Sequence, residues 1–332
     1  MKTRKIGAVA VSEIGLGCMN LSHAYGVPPS PDQARTVVLK ALDMGVTHFD
    51  TAALYGFGRN EELLGPLLRP IRGRIHLASK CGITGVNGVR VIDGRPETLI
   101  ESCHESLRRL QTDVIDLFYL HRVDRKVPVE ESMGALAGLA QAGHIRAIGL
   151  SEVSAATLRR ANAVHPVTAV QSEYSLWTRN PEVAVLDACR QMGIAFVAFS
   201  PVARGFLTGA VNASTSLPDN DIRKTMPRFE PANLLRNLDL LREFSKVATE
   251  QGCSMAQLAL AWLLHKSDNI IPIPGTTHET HLIENCTAGA VKLTPRVMAH
   301  VEALINSRTV SGARYPPAAQ AETDAEEIPA EA

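Results

Sequence analysis

The chain is 332 residues long, 45% hydrophobic and 20% charged, the balance of a globular domain of barrel size and not of a disordered or fibrous chain. Lys+Arg and Asp+Glu both total 34, so no net basic field argues for nucleic acid or an anionic membrane surface, and a small molecule is the expected partner. Six cysteines without a C-x-x-C pair fit a reducing compartment. The start, Met1 to Cys18, superficially imitates a lipoprotein signal, but Ser12 and Glu13 interrupt its apolar run, and nothing approaches the ~18 uninterrupted apolar residues of a membrane span. A cytoplasmic location is therefore expected.

Residues 3 to 12 alternate enough to predict a hairpin, and Ile14 to Cys18 the first buried strand. A long polar loop, Met19 to Ser30, precedes a helix from Pro31 to about Met44. From there short apolar strands alternate with amphipathic helices. The strands are expected to end near Asp50, Lys80, His121, Leu150, Gln171, Ser200 and Pro274. The helices are expected near 60–69, 96–110, 129–142, 154–163, 181–191, 232–265 (broken at Gln251-Gly252), 279–288 and 294–307. Eight strands in this alternation predict an α/β fold, a (β/α)8 TIM barrel, with the N-terminal hairpin as a plug in its floor and additional C-terminal helices. Residues 1–317 are read as one domain. Residues 318–332, alanine-rich with five acids and no base, are read as a disordered tail.

The stretch from His48 to Gly56 organises the functional reading. Its first half closes a strand, Asp50 sits at the strand's mouth, and Tyr55 is held on a turn bounded by Gly56 and Gly58. Two further strand ends supply Lys80 and His121. Singly, each has an ordinary explanation, as helix cap, solvated charge or core histidine; placed together where barrel enzymes carry their chemistry, they read as a proton-donating site. A phenol with a pKa near 10 donates reluctantly at neutral pH. An ammonium at ~4 Å, at an effective dielectric of ~20, stabilises the phenolate by roughly 4 kcal/mol. Lys80 is expected to supply that charge and so to make Tyr55 more acidic. Asp50 would hold the ammonium, and His121 would hydrogen-bond a carbonyl oxygen.

Other chemistries find less support. Gly15-Leu16-Gly17 is followed by Asn20, and Gly56-Phe57-Gly58 by Glu61, so neither completes G-x-G-x-x-G. Among the eleven histidines, His278 and His281 stand three apart, but no cysteine or acid cluster joins them, and no metal site is expected. No G-x-S-x-G elbow is present.

The chain resembles the aldo-keto reductases through Phe49-Asp50-Thr51-Ala52, Tyr55-Gly56, Glu61 to Gly65, Ser79-Lys80, Asp116-Leu117 through Leu120-His121, Gly149-Leu150-Ser151 and Ser200-Pro201 through Gly205-Phe206-Leu207, in order. Within them it is similar to the compact bacterial and plant group that includes perakine reductase-like proteins, partly through Gln171 to Trp177 and Arg314-Tyr315-Pro316. The resemblance implies NADPH-dependent reduction of aldehydes or ketones, with Tyr55 as general acid tuned by Lys80 and Asp50, and His121 positioning the carbonyl. It implies a nicotinamide carboxamide held by Ser151 and Gln171, the ring stacked on Phe199, and the pyrophosphate under the loop Ser200, Pro201, Arg204, Gly205 and Leu207. The adenosine and its 2′-phosphate would meet Gly275, Thr276, Thr277, His281 and Asn285. Met19 and Glu152 complete the implied cofactor set.

Two positions depart from the family pattern. Glu152 replaces an asparagine common among relatives and cannot donate as an amide does, which would alter the carboxamide contact. Thr277 and His278 stand where several relatives carry a basic pair, so NADPH is expected ahead of NADH without a fixed charge to enforce it. Tyr25, Phe57 and Trp177 are candidate walls of an aromatic substrate pocket. The resemblance also carries a second class of function, a cofactor-sensing binding protein of the same fold, as in the potassium-channel β subunits.

Overall fold

A computed structural model describes residues 1–86 and 89–328. The chain opens with an antiparallel hairpin, β1 (Thr3–Ile6) and β2 (Val9–Ser12). Eight parallel strands then form one sheet: β3 (Leu16–Gly17), β4 (His48–Asp50), β5 (His76–Cys81), β8 (Leu117–Leu120), β9 (Ile148–Ser151), β10 (Val167–Glu173), β11 (Ala195–Phe199) and β12 (Ile270–Pro272). The seam between first and last strands is bridged by backbone N–H groups of Gly15 and Gly17, donating to the carbonyls of Pro272 (3.0 Å) and Pro274 (3.3 Å). A side chain at 17 would come within 2.7 Å of the Ile273 carbonyl, so closure there requires glycine. The expected (β/α)8 architecture is the one observed.

Helices cover the sheet's outer face, drawn from α1 (Pro31–Asp43), α2 (Arg59–Leu68), α3 (Pro96–Leu110), α4 (Val129–Gln141), α5 (Ala155–Val164), α6 (Val185–Met192), α7 (Pro231–Glu250), α8 (Met255–Lys266), α9 (Glu279–Thr287) and α10 (Pro295–Leu304), and a short α11 (Pro317–Gln320) follows in the C-terminal segment. The break between α7 and α8 falls at the expected Gln251-Gly252, where Ser254 and Gln257 then form a reciprocal cap for α8.

Because helices cover one face and the barrel interior the other, each strand is apolar on both sides. Along β8, Leu117 and Tyr119 point into the barrel while Phe118 and Leu120 pack under the helices. The interior also holds Ala78, Ala169, Ala195 and Val197, and the hairpin contributes Ile6 and Val11 to the same cluster, closing the floor. The Tyr119 ring occupies the space a side chain at Gly149 would need. Arg4 of the hairpin anchors the plug by donating to the carbonyls of Leu264, Ser267 and Ile270, at the end of α8 and the start of β12.

Two features differ from expectation. A second hairpin, β6 (Ile83–Val86) and β7 (Val89–Ile92), extends from the end of β5, beside the mouth of the barrel. Its sequence signal is the Asn87-Gly88 pair between two apolar runs. The segment 318–328, expected to be disordered, packs on the barrel. Asp324 accepts from the backbone and hydroxyl of Ser154 (2.9 and 3.0 Å), and Glu326 from the backbone of Ala155 (2.7 Å). These acids satisfy free N–H groups at the start of α5, a use of charge that composition alone cannot distinguish from solvation. Residues 329–332 of the expected tail lie outside the described residues.

Near the floor, His48 and His76 face each other with their Nδ1 atoms 3.0 Å apart. Burial holds both neutral, lowering His48 to about 4 and His76, which also feels His48, to about 3. Unfolded imidazoles take protons near pH 6.5, so this contribution to stability is complete above that pH and is lost as pH falls toward 4. We predict an acid-side loss on the order of 3 kcal/mol from each of the two histidines. Urea unfolding between pH 7 and about 4 should show a shallower slope in His76→Asn than in the parent; identical slopes would exclude the pair as the cause.

Candidate active site

Asp50 ends β4, Lys80 lies in β5, and His121 follows β8, so three adjacent strands deliver one group each to the same end of the barrel. Tyr55 reaches them from the turn after β4. That turn is fixed by Asn60, which donates to the Cys18 carbonyl (2.8 Å) and Ser22 Oγ (2.7 Å) and accepts from Thr51 Oγ1 (2.6 Å). Gly58, at φ 92°, turns the chain into α2.

The Lys80 ammonium is fully buried and uses all three donors, to Asp50 Oδ1, to the Thr51 carbonyl (2.8 Å) and to Tyr55 Oη (3.2 Å). The other oxygen of Asp50 accepts from Gln171 Nε2 (2.7 Å), which ties β10 to the site. Burial lowers the lysine pKa, but Asp50 and the phenol outweigh it, and the group stays charged above its ordinary value. For Tyr55 the balance departs from the expectation. Burial raises the phenol further than Lys80 lowers it, and Asp50 adds to the rise, so the resting hydroxyl is less acidic than free tyrosine. Tyr55 is therefore protonated at neutral pH. His121 is held neutral by burial, with Arg122, Lys80 and Arg90 adding to the effect. Its ring meets that of Tyr55 edge-on at 6.0 Å.

Asp50, Tyr55 and His121 open into a cavity of about 1030 Å³ that is also lined by Ser151, Gln171, Phe199, Gly275 and Asn285. It is at the upper end of the ~300–1,000 Å³ usual for ligand sites. The model of the Aldo/keto reductase family matches residues 13–306. The chain belongs to that family. It is 43% identical over 324 residues to a Schizosaccharomyces pombe protein named Aldo-keto reductase yakc [NADP(+)], covering 96% of this chain and 95% of that one. The solved glycerol dehydrogenase AKR11B4 of Gluconobacter oxydans superposes with a TM-score of 0.86 at 29% identity, over 95% of this chain and 98% of the other. The holo form of aldo-keto reductase AKR11C1 of Bacillus halodurans gives 0.76 at 28% identity, over 92% and 97%.

In this aldo/keto reductase the cavity is lined by most of the expected cofactor residues: Met19, Ser151, Gln171, Phe199, Ser200, Pro201, Arg204, Gly205, Gly275, Thr276, Thr277, His281 and Asn285. Ser200, Ala203, Arg204 and Gly205 all adopt left-handed backbone, three of them at the cost that a side chain imposes there. Four of the expected residues do not line the cavity. Leu207 is buried in the hydrophobic core and does not line the cavity. Glu152 turns away from it, pairing with Arg314 (2.8 Å) and accepting from the backbone of Glu173 (2.8 Å). Trp177 is a core residue, stacked on Phe206 at 4.2 Å and edge-on to Phe229. Phe57 is 53% exposed and lies over Gly85 of β6, outside the cavity lining. Tyr25 does line the cavity.

Arg90, Arg122, Arg223, Asn20, His23 and Tyr315 also line it and were not among the expected residues. Arg122 carried the same signal as His121, its neighbour at a strand end; Arg90 depended on recognising the β6–β7 hairpin. Removing the counter-charge tests the burial of the central pair. Asp50→Asn should lower the unfolding free energy by about 3–5 kcal/mol, the usual consequence of orphaning a buried charge. An unchanged urea midpoint would contradict the pairing.

Proposed function

We propose that the chain reduces aldehydes or ketones to alcohols with NADPH, using Tyr55 as the proton donor. The observation that carries this reading is the buried Lys80 ammonium bound at once to Asp50 and to Tyr55 Oη (3.2 Å), beside a neutral His121 in the same cavity. When bound, the reduced nicotinamide supplies the hydride. His121, being neutral, offers one ring N–H to the carbonyl oxygen and polarises it. Tyr55 gives its proton to that oxygen as negative charge develops there. Lys80 then faces a phenolate at hydrogen-bond distance, and the attraction that does little for the resting hydroxyl acts in full on the ion. Asp50 and Gln171 keep the ammonium aimed.

The fit of a dinucleotide is supported by the length of the cavity and by polar atoms that await partners. Asn20 Oδ1 is buried without one, and Gly275 lets the chain pass close, since a side chain there would come within 2.8 Å of both Asn20 Oδ1 and the Gly17 carbonyl. Ser151 and Gln171 would hold the carboxamide, Phe199 the ring face, and the loop from Ser200 to Gly205, with Arg204 and Arg223, the diphosphate. Thr276, Thr277, His281 and Asn285 would meet the adenosine end. The name of the fission-yeast relative supports the phosphorylated cofactor. The same reading keeps the chain with the perakine reductase-like group, supported by the contact of its two marker segments, in which Arg314 donates to Glu173 (3.0 Å).

Tyr55→Phe should cut aldehyde reduction by about 10²–10⁴-fold, the range for loss of a general acid, while NADPH still binds by fluorescence titration. Full turnover in that variant would refute the assignment. The parent should bind NADPH more tightly than NADH in the same titration; equal affinities would refute a phosphate-reading site.

A further inference from the structure

The cavity that Tyr55 and His121 line also carries two arginines, both close enough to act on His121, that touch no reacting group in the proposed reduction. Arg122 Nη1 donates to the His121 carbonyl (2.7 Å) and Ser151 Oγ (3.3 Å), its Nε is buried without a partner, and no carboxylate pairs with it among the described residues. Among the described residues, the acids lining the cavity are Asp50, already committed to Lys80 and Gln171, and Glu284 on α9, beside Asn285. Arg90, on β7, is met by a carboxylate from the chain's own C-terminal segment, Glu322, in an ion pair about one-third exposed on each side (34% and 36%). One guanidinium thus lacks a counter-ion, and its neighbour already holds a carboxylate in a contact that solvent can reach.

A neutral carbonyl compound would leave Arg122 in that state and cover it further from water, which is unfavourable. A carboxylate or phosphate on the substrate would complete it through the planar fork that suits those groups. We propose that Arg122 and Arg90 form an anion-binding subsite beside the reacting carbonyl, so that the favoured substrates are aldehydes or ketones bearing a carboxylate or phosphate. Glu322 yields Arg90 to the incoming anion. This names a substrate class for Tyr55 and rests on the carbonyl-reducing reading above.

The test compares substrates matched in shape and different in charge: 4-carboxybenzaldehyde against methyl 4-formylbenzoate, and glyceraldehyde 3-phosphate against glyceraldehyde, with the full chain and NADPH. At least one anionic member should show kcat/KM about 10- to 100-fold above its neutral partner, the measure of one charge-assisted hydrogen bond, mainly through KM. Whichever pair shows the gain identifies the anion. The gain should shrink with added salt, collapse in Arg122→Met and return in part in Arg122→Lys. Preference for the neutral members by the parent, or equal losses for both members in Arg122→Met, would overturn the subsite and leave Arg122 as a support for Ser151.

If no aldehyde is reduced at all, the carbonyl-reducing reading fails by itself. The subsite is then read by calorimetric titration with benzoate and with inorganic phosphate. Binding that is lost in Arg122→Met sustains it; binding of neither anion overturns it.

Discussion

A lysine ammonium removed from water must be met on every side, and the mouth of this barrel is built around meeting one. Lys80 comes from β5, its carboxylate from β4, its carbonyl acceptor from the residue after β4, and its phenol from the turn beyond. The second oxygen of Asp50 is held from β10, across the barrel. Desolvating an ion costs several kcal/mol unless such partners are in place, so the site and the closure of the sheet stand or fall together. The constraint explains why the turn after β4 is so heavily bonded. Asn60 reaches the loop after β3 with two hydrogen bonds and steadies Thr51 with a third, fixing both the carbonyl and the tyrosine that Lys80 requires.

A second buried charge cluster lies behind the cofactor-sized part of the cavity. Glu173, at the end of β10, receives Arg204 (2.7 Å) and Arg314 (3.0 Å), and Arg314 also holds Glu152. Burial alone would raise the Glu173 carboxyl, but Arg204, Arg314 and Arg228 pull it down to about 2, so it stays charged at any ordinary pH. This cluster ties three distant segments together: the strand end, the left-handed loop from Ser200 to Gly205, and the C-terminal chain that carries Tyr315 into the cavity. The strained loop persists because the surrounding ion pairs over-determine it.

Much of this was legible in the sequence, for a physical reason. Barrel strands are buried on both faces and read as short apolar runs, so the polar residues that close each run mark one end of the barrel; Asp50, Lys80 and His121 were placed together at that end in this way. What failed were side-chain directions. Trp177 follows a strand end as His121 does, yet its indole finds Phe206 and Phe229 and is drawn into the core. Leu207 sits in a loop of cavity-lining residues but turns inward, as a leucine is free to do there. The position of Glu152 beside Ser151 gave no sign that Arg314, 162 residues later, would claim its carboxylate. The acidic tail hid its partners similarly: Glu322 pairs with Arg90 of the β6–β7 hairpin, Asp324 and Glu326 meet the start of α5, and only the fold supplies those partners.

The sign of the tyrosine balance joins the two halves of the proposed mechanism. Burial keeps Tyr55 protonated at rest, as the proposed proton donor would need, and the same burial keeps Lys80 unscreened, so its attraction would be greatest on a phenolate formed as the proton leaves. Arg122 acts in the same direction on Tyr55 and adds to the burial that holds His121 neutral. An anion seated on Arg122 would cancel part of that field. The phenol would then hold its proton more firmly, and the imidazole would accept one more readily and, once protonated, would present an N–H on each nitrogen. Substrate charge would therefore set both affinity and the proton inventory around the carbonyl, and the two effects oppose each other at Tyr55. A gain expressed in KM and not in kcat is the consequence of that opposition.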